Sequence, residues 1–133
     1  MVKDLTPEEI VAQLVPEGET AAALDKTADG VTAIYKSEST FVIVASAEGY
    51  GGKPVTAYVA VDGEGRIAGL YVDAAGQTKG LGTKVAKEEY TSQFVGLDSP
   101  DGVDAITGAT ISSNALKTAI KTALAAYETV KGA

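Results

Sequence analysis

Phe41-Val42-Ile43-Val44-Ala45 is an unbroken apolar run with β-branched and aromatic side chains. A strand of that composition is stable only when both of its faces are covered, so the run predicts a central strand of a sheet, extending over 41–47. The residues around it supply neighbours. A strand is expected at Val31–Lys36. Beyond Gly49-Tyr50-Gly51-Gly52-Lys53-Pro54, three glycines and a proline that favour a turn, Val55, Ala57, Val59 and Val61 alternate with Thr56, Tyr58, Ala60 and Asp62. Asp62-Gly63-Glu64-Gly65 reads as the turn of a hairpin whose second arm runs over 66–73.

Helices flank these strands. Thr6-Pro7-Glu8-Glu9 places a hydroxyl at the N-cap, proline at the first helical position and glutamate at the third, a capping box that predicts a short helix ending before Pro16. A helix of about 12 residues is expected to end near Gly96, with Val85, Tyr90 and Phe94 as buried contacts. Residues 99–102 read as a loop and 103–106 as a brief strand. From Ser113 to about Lys131, Leu116, Ala119, Ile120, Ala123, Leu124 and Tyr127 recur at helical spacing. The expected fold is α+β: an antiparallel sheet covered by helices, with a long C-terminal helix, in one domain spanning 1–133.

Composition narrows the function. With 11 Lys and Arg against 18 Asp and Glu, the net charge of −7 opposes binding to nucleic acid, which needs clustered cations. The absence of Cys and His excludes thiolate nucleophiles, His-ligated haem, Cys-ligated iron–sulfur clusters and Ser-His-Asp triads, and no metal site is expected. Redox chemistry would require an organic cofactor. The polar residues 1–9 do not resemble a signal peptide, and no run approaches the ~18 apolar residues of a spanning helix, so direct membrane insertion by this chain is not expected.

The chemistry-bearing segment is Thr107-Gly108-Ala109-Thr110-Ile111-Ser112-Ser113. Small residues let a ligand approach the backbone, and the free N–H groups and positive dipole end of the following helix favour a phosphate. A plainer reading makes Ser112 or Ser113 the helix cap and the rest a turn. Residues 76–84 invite a phosphate-loop reading but fail the G-x-x-x-x-G-K-[S/T] spacing, since Thr83-Lys84 stand in inverted order. Glu8-Glu9 and Glu88-Glu89 read as solvated helix faces rather than acid–base pairs. The tyrosines read as core or rim residues, Tyr50 in its glycine turn excepted.

Asp104-Ala105-Ile106-Thr107-Gly108-Ala109-Thr110 reads as D-x-x-[S/T]-G-A-T. It resembles the flavin-attachment motif of the FMN-binding domain in subunits of Rnf- and Nqr-type electron-transport complexes. The similarity extends in order over about 41–130. Gly49-Tyr50-Gly51-Gly52 resembles the family's G-Y-G-G segment, residues 62–72 its D-x-G-x-I hairpin, and Gln77-Thr78-Lys79-Gly80-Leu81-Gly82 its E-T-P-G-L-G loop at four of six positions.

The resemblance implies an electron-carrying flavoprotein domain, rather than a stand-alone enzyme, with FMN joined through its phosphate to Thr110. A Mg²⁺-dependent flavin transferase would attach it, and no catalytic base on this chain is required. Asp104, Thr107, Gly108, Ala109, Ser112, Ser113, Tyr50, Gln77, Thr78, Lys79, Gly80, Leu81 and Gly82 are the implied cofactor contacts. A non-covalent FMN-binding or cofactor-free interaction module is the alternative. Redox partner proteins or a membrane electron-transport complex, and a place outside the cytoplasm in an anchored or exported parent, are implied likewise. The chain departs from the family at Gln77, which replaces an acidic residue, at Lys79, which replaces proline, and in lacking the upstream histidine. Lys79 beside the flavin would stabilise its anionic reduced form and raise its potential, whereas its plain reading is a solvated surface lysine.

Overall fold

The computed structural model describes residues 6–24, 30–49, 52–74 and 85–130. Five antiparallel strands form one sheet in sequence order: β1 (Ala22–Ala23), β2 (Val31–Lys36), β3 (Phe41–Glu48), β4 (Pro54–Val61) and β5 (Ile67–Asp73). Each strand thus pairs with its neighbour in sequence, a meander in which β3 holds the centre. The two-residue β1, pairing Ala22 with Lys36, has no alternating pattern and was not foreseen.

The apolar run of β3 is buried on both faces, as its composition requires. Phe41, Ile43 and Ala45 face one cluster, joined by Val55, Ala57, Val59 and Val61 of β4. Val42 and Val44 face the other, joined by Tyr58 and Ala60. Helix α3 (Thr110–Val130) covers the first face with Leu116, Ala119, Ile120, Ala123 and Tyr127. Helix α1 (Pro7–Leu14) covers the second with Ile10 and Val11. Gly69 of β5 lies beneath α1, where a Cβ would stand 3.2 Å from Leu14 Cδ2.

Local chemistry fixes several ends. The capping box at α1 is formed: the Glu9 amide donates to Thr6 Oγ1 (3.2 Å) and the Thr6 amide donates to Glu9 Oε1 (3.0 Å). In the β4–β5 hairpin Asp62 Oδ1 accepts from the Glu64 and Arg66 amides, and Gly65 adopts φ +81°. The register shifts after Val61↔Ile67, leaving Ala68 as an extra residue opposite the Ala60–Val61 step.

Three expectations are corrected. The helix before Gly96 is a four-residue α2 (Glu88–Thr91) followed by a 3-10 turn, Ser92–Phe94. Val85, Tyr90 and Phe94 are nonetheless buried as expected, and Gly96 has φ +87°. The chain leaves the helical path because Gly96 N donates to Ile67 O (2.7 Å) and Ile67 N to Leu97 O (2.8 Å), which ties this segment to the start of β5.

Residues 103–106 form no strand. A 3-10 turn at Pro100–Gly102 precedes them, and side chains take up their backbone groups, Tyr90 at the Asp104 carbonyl and Ser113 at the Ile106 amide. Finally, α3 starts at Thr110 rather than Ser113, and neither Ser112 nor Ser113 caps it.

Candidate functional site

The motif turn lies between α2 and the N-terminus of α3. Gly108 adopts φ +83°, a conformation open to glycine and strained for any residue with a Cβ. The Ala109 amide donates to Ile106 O (2.9 Å), closing the turn, and the Ser113 amide donates to Ala109 O (2.9 Å), the first bond of the helix. Ala109 is therefore the N-cap and has no side-chain oxygen to satisfy the first-turn N–H groups. Helix geometry leaves those groups without an intrahelical partner, aimed at whatever anion occupies the helix end.

Around that point the side chains divide cleanly. Asp104, Thr107, Gly108 and Thr110 are exposed, and Ala109 is buried. Ile111, next to Thr110, is 54% exposed, one of two large apolar residues so placed among those described. Ser112 and Ser113 are buried within α3. The Ser113 hydroxyl donates to Ala109 O (2.8 Å) and accepts from the Ile106 amide (3.0 Å), so it stitches the turn from the inside.

A second tie comes from α2. Tyr90 is buried, its ring edge-on to Phe94 at 5.3 Å and 89°, and its hydroxyl donates to the carbonyl oxygen of Asp104 at 2.9 Å. Burial pushes the Tyr90 phenol up from its ordinary value of 10.0, so it remains a proton donor at neutral pH. Sequence reasoning placed Tyr90 in the core but missed this bond. A tyrosine where phenylalanine would pack equally well was the available signal.

Lys87, Glu89, Tyr90, Gln93 and Ile106 line a cleft of about 360 Å³ beside the turn. That volume is within the ~300–1,000 Å³ range of small-molecule sites. A cleft at Leu124, Tyr127 and Glu128 is 14 residues or more along α3 from Thr110, roughly 21 Å at 1.5 Å per residue. Another is lined by Val11 and Val15, which face the opposite side of the sheet. The expected contacts Tyr50, Gln77, Thr78, Lys79, Gly80, Leu81 and Gly82 lie outside the described residues.

The residues present fit an FMN phosphate. Thr110 offers an exposed hydroxyl at the first position of the helix, and Gly108 leaves the approach free of a Cβ. Residues 104–116 contain no Lys or Arg, so within this segment the groups offered to an anion are dipoles and N–H groups, and Lys87 lines the adjoining cleft.

A helix–sheet–helix α+β domain with a phosphate-suited turn at the head of its longest helix is the class these features define. The FMN-binding domain family matches residues 49–125, more than half of the chain, and the chain belongs to that family. It is also similar to a subunit of the proton-translocating ferredoxin:NAD(+) oxidoreductase complex of Clostridium ljungdahlii. Identity is 30% over 103 residues, taking in 69% of this chain and 55% of the relative. The chain thus spans about half the length of that relative. Among the described residues no helix is long and apolar enough to cross a membrane.

Proposed function

We infer that this chain is an electron-carrying domain in which FMN is joined through its phosphate to the Thr110 hydroxyl. The observation that carries the reading is the placement of Thr110: exposed, first in α3, two residues after the positive-φ Gly108. Membership of the FMN-binding family supplies the cofactor's identity.

The exposed Thr110 hydroxyl, at the acceptor position of the D-x-x-[S/T]-G-A-T pattern, supports a covalent link over reversible binding. A free FMN phosphate is a monoester carrying about −1.5 to −2 charges at neutral pH and calls for cations. Esterification to Thr110 removes one ionisable oxygen, and the bond itself retains the cofactor. In that attachment the Thr110 oxygen bonds to the FMN phosphorus of FAD, the pyrophosphate link breaks, AMP leaves, and the hydroxyl proton is released to the transferase or solvent. FMN, when bound, supplies a centre able to accept and donate electrons. The protein's own share is to present Thr110, aim the first-turn N–H groups at the phosphate and wall the adjacent cleft with Tyr90 and Ile106.

The similarity to a component of a ferredoxin:NAD(+) oxidoreductase complex supports redox partners in a membrane electron-transport assembly. It is also the basis for proposing an extracytoplasmic setting and maturation by a flavin transferase.

Co-expression with a flavin transferase followed by peptide mass spectrometry tests the reading. FMN mass should appear on the peptide containing Thr110 and vanish in Thr110→Ala. An unmodified wild-type chain beside a modified control substrate in the same cells would refute covalent attachment, and yellow colour lost on denaturation would indicate reversible binding instead.

A further inference from the structure

Nothing about the packing of Tyr90 requires its hydroxyl. The ring is 5% exposed in the main apolar cluster and meets Phe94 edge to face, contacts a phenylalanine would make equally well. The oxygen is the surplus atom, and it is turned onto the carbonyl of Asp104, the first residue of the motif, 14 positions away. Ser113, whose side chain is itself a neighbour of the Tyr90 phenol, holds the Ile106 amide and the Ala109 carbonyl through its Oγ.

The turn is thus fastened at 104 from α2 and at 106 and 109 from α3. Between these points and the helix start lie the exposed Thr107 and Gly108 and, two residues after Gly108, Thr110. Residues 103–106 belong to no strand, so no sheet ladder holds them. Side-chain bonds supply the order that a ladder would otherwise give.

We propose that Tyr90 is a positioning residue for flavin attachment, its hydroxyl fixing the Asp104 carbonyl so that the turn presents Thr110 in one geometry to the incoming phosphorus. This rests on the reading of Thr110 as the FMN acceptor. Misplacing a reacting atom by about 1 Å can cost up to ~100-fold in rate. Loss of one of the two ties should therefore slow attachment by roughly tenfold.

Tyr90→Phe in the full chain is the test, with Tyr127→Phe as a control that removes the hydroxyl of a buried tyrosine at the far end of α3. Two readouts are taken. Amide hydrogen exchange without flavin should quicken at Ile106 and Ala109 in Tyr90→Phe, with β3 amides unchanged and no such change in Tyr127→Phe. In transferase assays with FAD, Tyr90→Phe should lower kcat roughly tenfold while Tyr127→Phe matches wild type. Wild-type exchange at Ile106 and Ala109, or wild-type kcat, in Tyr90→Phe overturns the proposal. Equal losses in both variants also overturn it, since they would mark general destabilisation. A wild-type chain that accepts no FMN defeats the acceptor reading, while the exchange measurement still decides whether Tyr90 orders the turn.

Discussion

Gly108 and Ser113 are the two residues whose chemistry the motif turn depends on most directly. With φ at +83°, Gly108 allows the chain to reverse into α3 within two residues of Ile106. An L-residue there meets its own carbonyl, at a cost of about 1–2 kcal/mol. Gly108→Ala should lower stability by that amount in urea melts, and no loss would show that the turn adopts another conformation. Sequence legibility differed between these neighbours. The glycine announced its turn, because backbone freedom is a property of the residue itself. Ser113 looked like a cap or a ligand contact, because a serine near a helix start has several local partners. The helix begins three residues earlier, which places its hydroxyl inside, on Ala109 O and the Ile106 amide.

At the scale of elements, the turn joining β2 to β3 carries the clearest electrostatic prediction. Glu19 accepts from the Ser37 hydroxyl (2.6 Å) and from the Ser39 amide (2.9 Å) and hydroxyl, tying the segment after α1 to this turn. The Ser37 hydroxyl bond first, and then those from Ser39, hold the Glu19 carboxyl below its ordinary value of 4.5. A carboxyl with a depressed folded value stabilises the fold above its unfolded value, and that contribution disappears as pH falls through the folded one. Urea midpoints measured from pH 7 to pH 3 should therefore show Glu19→Gln less stable than wild type at pH 7, with the gap narrowing below about pH 4.5. A gap independent of pH would mean the carboxylate's charge plays no part.

The same scale shows where periodicity suffices. β3, β4 and α3 follow their apolar patterns, whereas α2 is cut short because Gly96 and Leu97 bond to Ile67, far away in sequence. No helical pattern in 85–96 encodes that demand.

For the whole molecule, the sheet separates two apolar clusters, one under α3 and one under α1, that share only the strands between them. Ile120 is fully buried in the first and Ile10 is buried in the second. Truncating a buried isoleucine to alanine costs about 2–5 kcal/mol. Ile120→Ala and Ile10→Ala should each lower the midpoint of one shared unfolding transition, and the double variant should lose the sum within about 0.5 kcal/mol. Two separate transitions would mean that the helices do not stabilise a common unit.

What the sequence determined by itself was everything carried by local pattern. The doubly covered β3, the hairpin at Asp62 and Gly65, and the capping box of Thr6 and Glu9 rest on neighbours within a few residues, and the family membership was foreshadowed by short motifs ordered along the chain. Only the tertiary structure decided how the motif turn is held. Its ties pass from Tyr90 to Asp104 and from Ser113 to Ile106, and a hydrogen bond between groups 14 or 7 residues apart exists only once helices and turn have packed. Periodicity reports which face is buried. The partner of a buried hydroxyl is fixed by the packing of separate elements, and no local pattern encodes it.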